Sequence, residues 1–166
     1  MSSRRVPRRI APAFRPKEVE GGSNASGLRI TVLCARWNPT VTGALLRGAL
    51  ATLEQHGARA SDVRVLRVPG AFELPAAARA AVSARRTDAV IALGAIIRGE
   101  TSHHEVLGHA VASALASLSA ESGIPIGFGL LTCDTMDQAR ARAGKGVEAA
   151  EAAIEMANLK RRLRRP

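Results

Sequence analysis

Aromatic side chains are scarce in this sequence. Its 166 residues include no tyrosine, one tryptophan and three phenylalanines, although apolar residues make up 46% of the chain. Alanine, valine, leucine and isoleucine must therefore fill most of the interior, which is typical of helices packed on a parallel sheet. The length is that of one domain with a sizeable core.

Long apolar runs and disulfide-forming cysteines are also missing. No run approaches the roughly 18 apolar residues that a membrane span requires, so a membrane is not expected as a partner. Cys34 and Cys133 are the only cysteines, and two are too few for a disulfide scaffold. Both fall in strand-like segments, and we predict that they are buried free thiols.

Acidic residues are too few to balance the basic ones, and the net charge is +10. Residues 1–22 contain six basic and two acidic residues, residues 160–166 contain five basic and none acidic, and residues 23–159 are nearly neutral. Composition therefore predicts a basic, flexible N-terminal arm and linker over residues 1–27, a folded domain over residues 28–159 and a basic C-terminal tail. Nucleic acid is not expected as a partner, apart from weak, non-specific binding by these charged ends.

Strand-like and helix-like segments alternate along the chain. Apolar, β-branched runs predict strands at residues 28–35, 63–68, 88–93 and 126–132. Helical spacing predicts helices at residues 42–56, 72–85 and 102–122, from 134 or 135 to about 143, and from 147 to about 163. The alternation predicts a three-layer αβα fold with a doubly wound, four-stranded parallel sheet of flavodoxin-like strand order. Ligands of such sheets bind outside the carboxyl ends of the strands.

The loop predicted at Gly94–His103 carries the richest chemistry of the strand exits. It holds Arg98, two glycines, two hydroxyl side chains and His103 before a predicted helix. The amides of a helix N-terminus suit an anion, and an imidazole suits proton transfer. A capped helix start with a solvated histidine explains the same residues equally well.

Three other features have both a functional and a structural interpretation. Trp37 offers a flat apolar surface for a heterocycle, or equally well covers the rim of the sheet. Pro69–Glu73 places backbone donors beside a carboxylate, although simple helix initiation explains this segment better. Arg142 and Lys145 suit a phosphate clamp, although a solvated surface pair is the simpler explanation.

Several other site types are not supported by the sequence. His103, His104, Glu105 and His109 are close in sequence, but they do not form a His-Glu-x-x-His motif, and no three metal ligands assemble locally. The glycine-rich segment is neither a Walker A loop nor a dinucleotide-binding fingerprint. No nucleophile elbow is present, which argues against acyl transfer.

An ordered set of motifs runs through the chain. The segments are Arg36-Trp37-Asn38, Val68–Pro75 (VPGAFELP), Ala92–His103 (ALGAIIRGETSH), Phe128–Thr132 (FGLLT), Gln138, Arg142–Gly144, Glu148–Ala150 and Glu155-Met156. In this combination the chain resembles the 6,7-dimethyl-8-ribityllumazine synthase family, from about Leu28 to Leu159. Only the two basic ends lie outside the resemblance.

The resemblance implies an activity and a mode of assembly. The family condenses 5-amino-6-(D-ribitylamino)uracil with 3,4-dihydroxy-2-butanone 4-phosphate, releasing phosphate and water, in the penultimate step of riboflavin biosynthesis. It uses no metal or redox cofactor. The resemblance thus implies a cytoplasmic transferase, a homo-oligomer built from pentamers with active sites between subunits, and a functional link to riboflavin synthase.

The resemblance also implies roles for individual residues. The pyrimidine ring and ribityl chain are expected to contact Trp37, Ala71, Phe72, Glu73, Ala95, Ile96, Ile97 and Phe128. The phosphate is expected to contact Glu100, Thr101 and Arg142. His103 is expected to transfer protons.

Two departures from the family pattern leave questions open. Trp37 stands where the family commonly has phenylalanine, and the larger ring favours a bound flavin. The segment 143–146 is shorter than usual, so the role of Lys145 and the choice among pentamer, decamer and sixty-subunit shell are not determined. Two rival hypotheses remain: a flavin-binding relative with little turnover, and a shell protein whose basic ends recruit polyanions.

Overall fold

The computed structural model describes residues 15–164, in which four strands alternate with helices and two consecutive helices come last. Two short 3₁₀ turns, Ala60–Asp62 and Ala71–Glu73, precede β2 and α2. The elements are β1 (Ile30–Ala35), α1 (Pro39–Gln55), β2 (Val63–Val68), α2 (Leu74–Ser83), β3 (Ala89–Ile97), α3 (His103–Ser122), β4 (Ile126–Cys133), α4 (Met136–Ala141) and α5 (Lys145–Leu163).

The strands form one parallel sheet in the order β2-β1-β3-β4. Each connection between consecutive strands contains a helix, as parallel strands require. The prediction of a three-layer αβα fold with a doubly wound parallel sheet of flavodoxin-like order is confirmed. The carboxyl ends of all four strands therefore lie at one edge of the sheet.

Helices cover both faces of the sheet. On one face, Leu45 of α1 and Ile154 of α5 pack in one apolar cluster with Ile91 of β3. On the other face, Leu74 of α2 and Leu115 of α3 belong to a second cluster. The paired clusters account for a core built almost entirely from aliphatic residues, because small and branched side chains fill the two interlayer spaces.

The third strand is longer than predicted. The expectation that it ends at Leu93, with a loop from Gly94, is wrong, because β3 continues to Ile97 and pairs there with Cys133 of β4. Gly94 acts as a packing residue: a Cβ atom there would lie 2.8 Å from the Leu130 side chain. The exit loop is therefore short and begins at Arg98.

Both cysteines are confirmed as buried free thiols. Arg67 of β2 donates a hydrogen bond to Cys34 Sγ at 2.8 Å. Burial raises the pKa of the Cys34 thiol, and the nearby guanidinium only partly offsets this effect. A neutral thiol is a weak nucleophile, so Cys34 is not equipped for covalent catalysis.

Segments near both ends of the described chain pack against the domain. In the segment predicted as a linker, Ala25 is fully buried and the Gly22 carbonyl accepts a hydrogen bond from Asn158 at 2.7 Å. Helix α5 continues through the first residues of the predicted tail. Residues 1–14 of the predicted arm and residues 165–166 lie outside the described residues. Among the described residues, no helix has the length and apolarity to cross a membrane.

Candidate functional site

A cavity of about 570 Å³ lies at the carboxyl ends of β1, β2 and β3. This is the edge where open α/β sheets bind ligands. The lining includes nine of the residues expected to contact substrate or transfer protons: Trp37, Ala71, Phe72, Glu73, Ala95, Ile96, Ile97, Thr101 and His103. It also contains residues for which the sequence suggested no role, Asn38 and His104 among them.

Two exposed aromatic rings flank the cavity. Trp37 follows β1 and is 73% exposed, and Phe72 follows β2 and is 69% exposed. The Trp37 amide donates to the Pro69 carbonyl at 3.3 Å, extending the β1–β2 pairing into the loops. Large apolar rings are costly to leave in water, so this pair is suited to contact with a flat heterocycle.

Asn38 connects the first loop to the third strand. Its backbone has a φ of 57°, in the left-handed region that asparagine tolerates better than most residues. Its side-chain Nδ2 donates a hydrogen bond to the Ala95 carbonyl at 2.9 Å. Sequence reasoning missed this role, although an asparagine before Pro39, which opens α1, is a recognisable signal for a special turn.

The turn after β2 carries a carboxylate into the cavity. Glu73 Oε2 accepts a hydrogen bond from the Gly70 amide at 2.8 Å. This bond fixes the turn, while the second carboxylate oxygen retains acceptor capacity. An acceptor at this position suits the hydroxyl or amino groups of a polar ligand.

The end of β3 supplies backbone to the cavity. Ala95 and Ile96 are buried and Ile97 is half-buried. The ladder with β4 extends one residue further, since the Arg98 amide donates to the Cys133 carbonyl at 2.8 Å. The Arg98 side chain lies at the surface near Asp134, with Nη1 3.4 Å from Oδ1. Arg98 is therefore not among the residues of the cavity.

Two adjacent histidines begin α3 in different environments. His103 is exposed, and its amide lies 3.4 Å from the Thr101 hydroxyl oxygen. His104 is 9% exposed, and its Nδ1 lies 3.1 Å from the Thr101 carbonyl oxygen. A carbonyl can only accept, so this contact requires a proton on Nδ1. His104 thereby anchors the exit loop, while His103 is free to meet a ligand.

Three of the expected site residues do not line this cavity. Glu100 lies at the surface of the exit loop. Phe128 is 40% exposed and lies beside Leu115 of α3 in another depression. Arg142 lines a further cavity beyond β4 together with Lys145, whose Nζ is 2.6 Å from Glu148. Phe128 and Arg142 are therefore separated from His103 within one chain.

The charge of the cavity is unusual for an anion site. No lysine or arginine among residues 15–164 lines it. The feature of this cavity that favours an anion is the N-terminus of α3, where the helix dipole carries a partial positive charge. Among the same residues, no cluster of three or more His, Cys, Asp or Glu side chains is placed to hold a metal ion.

The arrangement is suited to holding a flat heterocycle near a histidine and an anion. Aromatic rings and strand backbone form one part, and the exit loop with the start of α3 forms the other. The family model of 6,7-dimethyl-8-ribityllumazine synthase matches residues 27–161, which spans all the loops of the cavity. The chain therefore belongs to the 6,7-dimethyl-8-ribityllumazine synthase family.

Proposed function

We propose that the protein condenses 5-amino-6-(D-ribitylamino)uracil with 3,4-dihydroxy-2-butanone 4-phosphate to give 6,7-dimethyl-8-ribityllumazine, phosphate and water. The observation that carries this proposal is the single cavity in which Trp37 and Phe72 face the same space as His103. Family membership, which implies an enzyme of riboflavin biosynthesis, supports it. The family membership and the residues that line the cavity are two separate supports for the same reaction.

The pyrimidine and its ribityl chain fit the aromatic part of the cavity. Stacking on Trp37 contributes about 0.5–1.5 kcal/mol beyond the burial of area. The backbone of Ala95–Ile97 offers hydrogen-bonding groups to the ring edge, and Phe72 covers the chain. Glu73 accepts hydrogen bonds from the ribityl hydroxyls, since its carboxylate is already held by the Gly70 amide.

The phosphate fits the exit loop at the start of α3. Glu100 and Thr101 supply backbone amides, Thr101 adds its hydroxyl, and the helix dipole favours the anion. A full positive charge stabilises a phosphate leaving group, and no lysine or arginine of the described residues lines this cavity. We propose that Arg142 of a neighbouring subunit supplies it, and that Phe128 of that subunit closes over the ring.

Because one chain alone does not complete the proposed site, the subunits must associate. Family membership implies an oligomer, and we propose that it is built from pentamers with one active site at each subunit contact. We also propose that the enzyme acts in the cytoplasm and that riboflavin synthase uses its product.

The proposed chemistry requires few catalytic groups. The 5-amino nitrogen attacks the ketone carbon, and loss of water leaves an imine. Removal of a proton from the adjacent carbon expels phosphate and leaves an enol that becomes a ketone. The ribitylamino nitrogen attacks this ketone, and loss of a second water closes the ring. Holding the two substrates together lowers the entropic barrier, and the His103 imidazole accepts and returns the protons.

The direct test mixes the two substrates with the full-length protein and follows the absorbance and fluorescence of the lumazine. We expect His103→Ala to lower kcat by a factor on the order of 10²–10⁴, because general acid–base catalysis is lost. His109→Ala is the matched control, since His109 is exposed on the same helix outside the cavity. Absence of lumazine formation by the wild-type protein would refute the proposal.

A further inference from the structure

A second cavity lies at the opposite edge of the sheet, where the strands begin. It has a volume of about 590 Å³. Five cationic side chains from separate parts of the chain line it: Arg29, Arg85, Lys160, Arg161 and Arg164. We call it the basic cavity. The length of β1, about 20 Å, separates it from the candidate active site.

The Asp88 carboxylate forms ion pairs with two of these cations. Asp88 Oδ1 lies 3.2 Å from Arg29 Nη2, and Asp88 Oδ2 lies 3.3 Å from Arg161 Nη2. Among residues 15–164, no ion pair joins Arg85, Lys160 or Arg164 to a carboxylate. The basic cavity therefore carries more positive charge than its own acidic residue compensates.

Helix ends offer a structural explanation for part of this charge. Ser83 ends α2 and Ser122 ends α3, and both line the cavity near the last turn of α5. Each helix C-terminus is equivalent to a charge of about −0.5. Three such ends together with Asp88 offset roughly half of the five cations. The remainder is unexplained by the fold.

The surplus charge has a cost that is visible at Lys160. Partial burial and the charge of Arg164 lower the pKa of Lys160, against the opposing effect of Asp88. Arg85 has a φ of 52°, a left-handed conformation that side-chain-bearing residues rarely adopt. A bound anion would offset the effect on Lys160. The conformation of Arg85 ends α2, since its amide donates to the Val82 carbonyl at 3.0 Å.

We propose that the basic cavity binds a condensed phosphate chain, such as a diphosphate or triphosphate. Guanidinium forks pair bidentately with phosphate oxygens, and cations arriving from three segments suit several linked phosphates better than one. The apolar lining consists of Val82, Ile124 and Ala157, without an aromatic ring on which a base could stack. The site does not depend on the proposed function, because it shares no residue with the candidate active site.

The test is calorimetric titration of the full-length protein with inorganic tripolyphosphate at an ionic strength of about 50 mM. We expect saturable binding that weakens as salt is added. Lys160→Gln and Arg85→Gly should each weaken it about tenfold, the usual effect of losing one charged hydrogen bond. Glycine suits the backbone at position 85, so Arg85→Gly should fold at least as stably as the wild-type protein.

Arg140→Gln is the matched control. It removes the same charge from α4, where Arg140 pairs with Asp137 at 2.9 Å outside the basic cavity, and should leave tripolyphosphate affinity unchanged. A nucleoside triphosphate should bind no more tightly than tripolyphosphate. The proposal fails if the wild-type protein does not bind, or if both cavity variants bind as well as Arg140→Gln. It also fails if the nucleoside improves affinity tenfold, which indicates a nucleotide site.

Discussion

His103 and His104 show how adjacent, identical residues take different roles. The first side chain lies at the cavity in solvent, and the second is turned inward, where its Nδ1 meets the Thr101 carbonyl. A sequence pattern does not distinguish these two orientations, because both residues lie in the first turn of α3. The buried histidine holds the exit loop, and we expect it to act on ligands only through that loop, as a positioning residue.

His104 should therefore affect substrate affinity more than turnover. We expect His104→Phe, which keeps the bulk and removes the donor, to raise KM for the phosphate-bearing substrate roughly three- to tenfold with little change in kcat, the effect of one lost hydrogen bond. His104→Asn places an amide near the position of Nδ1 and should restore KM. Steady-state kinetics with both variants decides the question: equal losses in kcat for the two would indicate a general structural defect.

Trp37 should report ligand binding directly. It is the only tryptophan, the chain has no tyrosine, and its indole is 73% exposed beside the cavity. Titration with riboflavin should quench the intrinsic fluorescence, because a stacked flavin contacts the indole. Trp37→Ala should weaken flavin binding by up to about tenfold, and Trp37→Phe should weaken it less. If riboflavin leaves the indole emission unchanged, a flavin does not stack on Trp37.

At the scale of elements, the sequence predicted which segments are strands and helices better than where they end. Strand β2 has the predicted bounds, because turn residues flank it on both sides. The sequence predicts that β3 ends at Leu93 and that a loop begins at Gly94, yet Gly94 lies within the strand and packs against β4. Pro39 begins α1 three residues early, a position where proline is favoured. The local sequence pattern does not show which distant segments pair, and that pairing decides where such elements end.

Asp88 connects elements and should make stability depend on pH. It lies just before β3 and pairs with Arg29, just before β1, and with Arg161 on α5. Partial burial alone would raise the pKa of Asp88, but hydrogen bonds from Arg29 and the charges of both arginines bring it below its ordinary value. Its ionised form therefore stabilises the fold above the ordinary carboxyl pKa, and this stabilisation is lost as the pH falls through the lowered folded pKa.

We expect Asp88→Asn to lower the free energy of unfolding by about 1–2 kcal/mol at neutral pH. The difference from the wild-type protein should shrink below a pH of about 4, where the unfolded carboxyl is protonated. Chemical denaturation across this range measures both effects. Asp137→Asn is the control: its ion pair with Arg140 has an 89% exposed carboxylate, so removing it should change stability by less than about 0.5 kcal/mol. A pH-independent loss in Asp88→Asn would contradict the assignment.

At the scale of the whole molecule, one chain holds most of the candidate site. The positions of the loops after the parallel strands predicted the cavity, because the topology brings the carboxyl ends of these strands together. The same reasoning did not bring Phe128 and Arg142 to the cavity, because within one chain they line other depressions; we propose that another chain supplies them. Among residues 15–164 no lysine or arginine lines the cavity, whereas Arg142 is exposed beyond β4. The proposed pentamer would join these two surfaces.

Mixed oligomers test this arrangement. In an oligomer of His103→Ala and Arg142→Ala subunits, a site shared between neighbours regains both side chains wherever the two variants meet in the right order. Random mixing of equal amounts should therefore restore about a quarter of the wild-type activity per site, as the symmetry of a ring requires. Co-refolded variants are assayed for lumazine formation, with each variant refolded alone as the control. If His103 and Arg142 act within one chain, no mixed site is intact and activity stays at the level of the single variants.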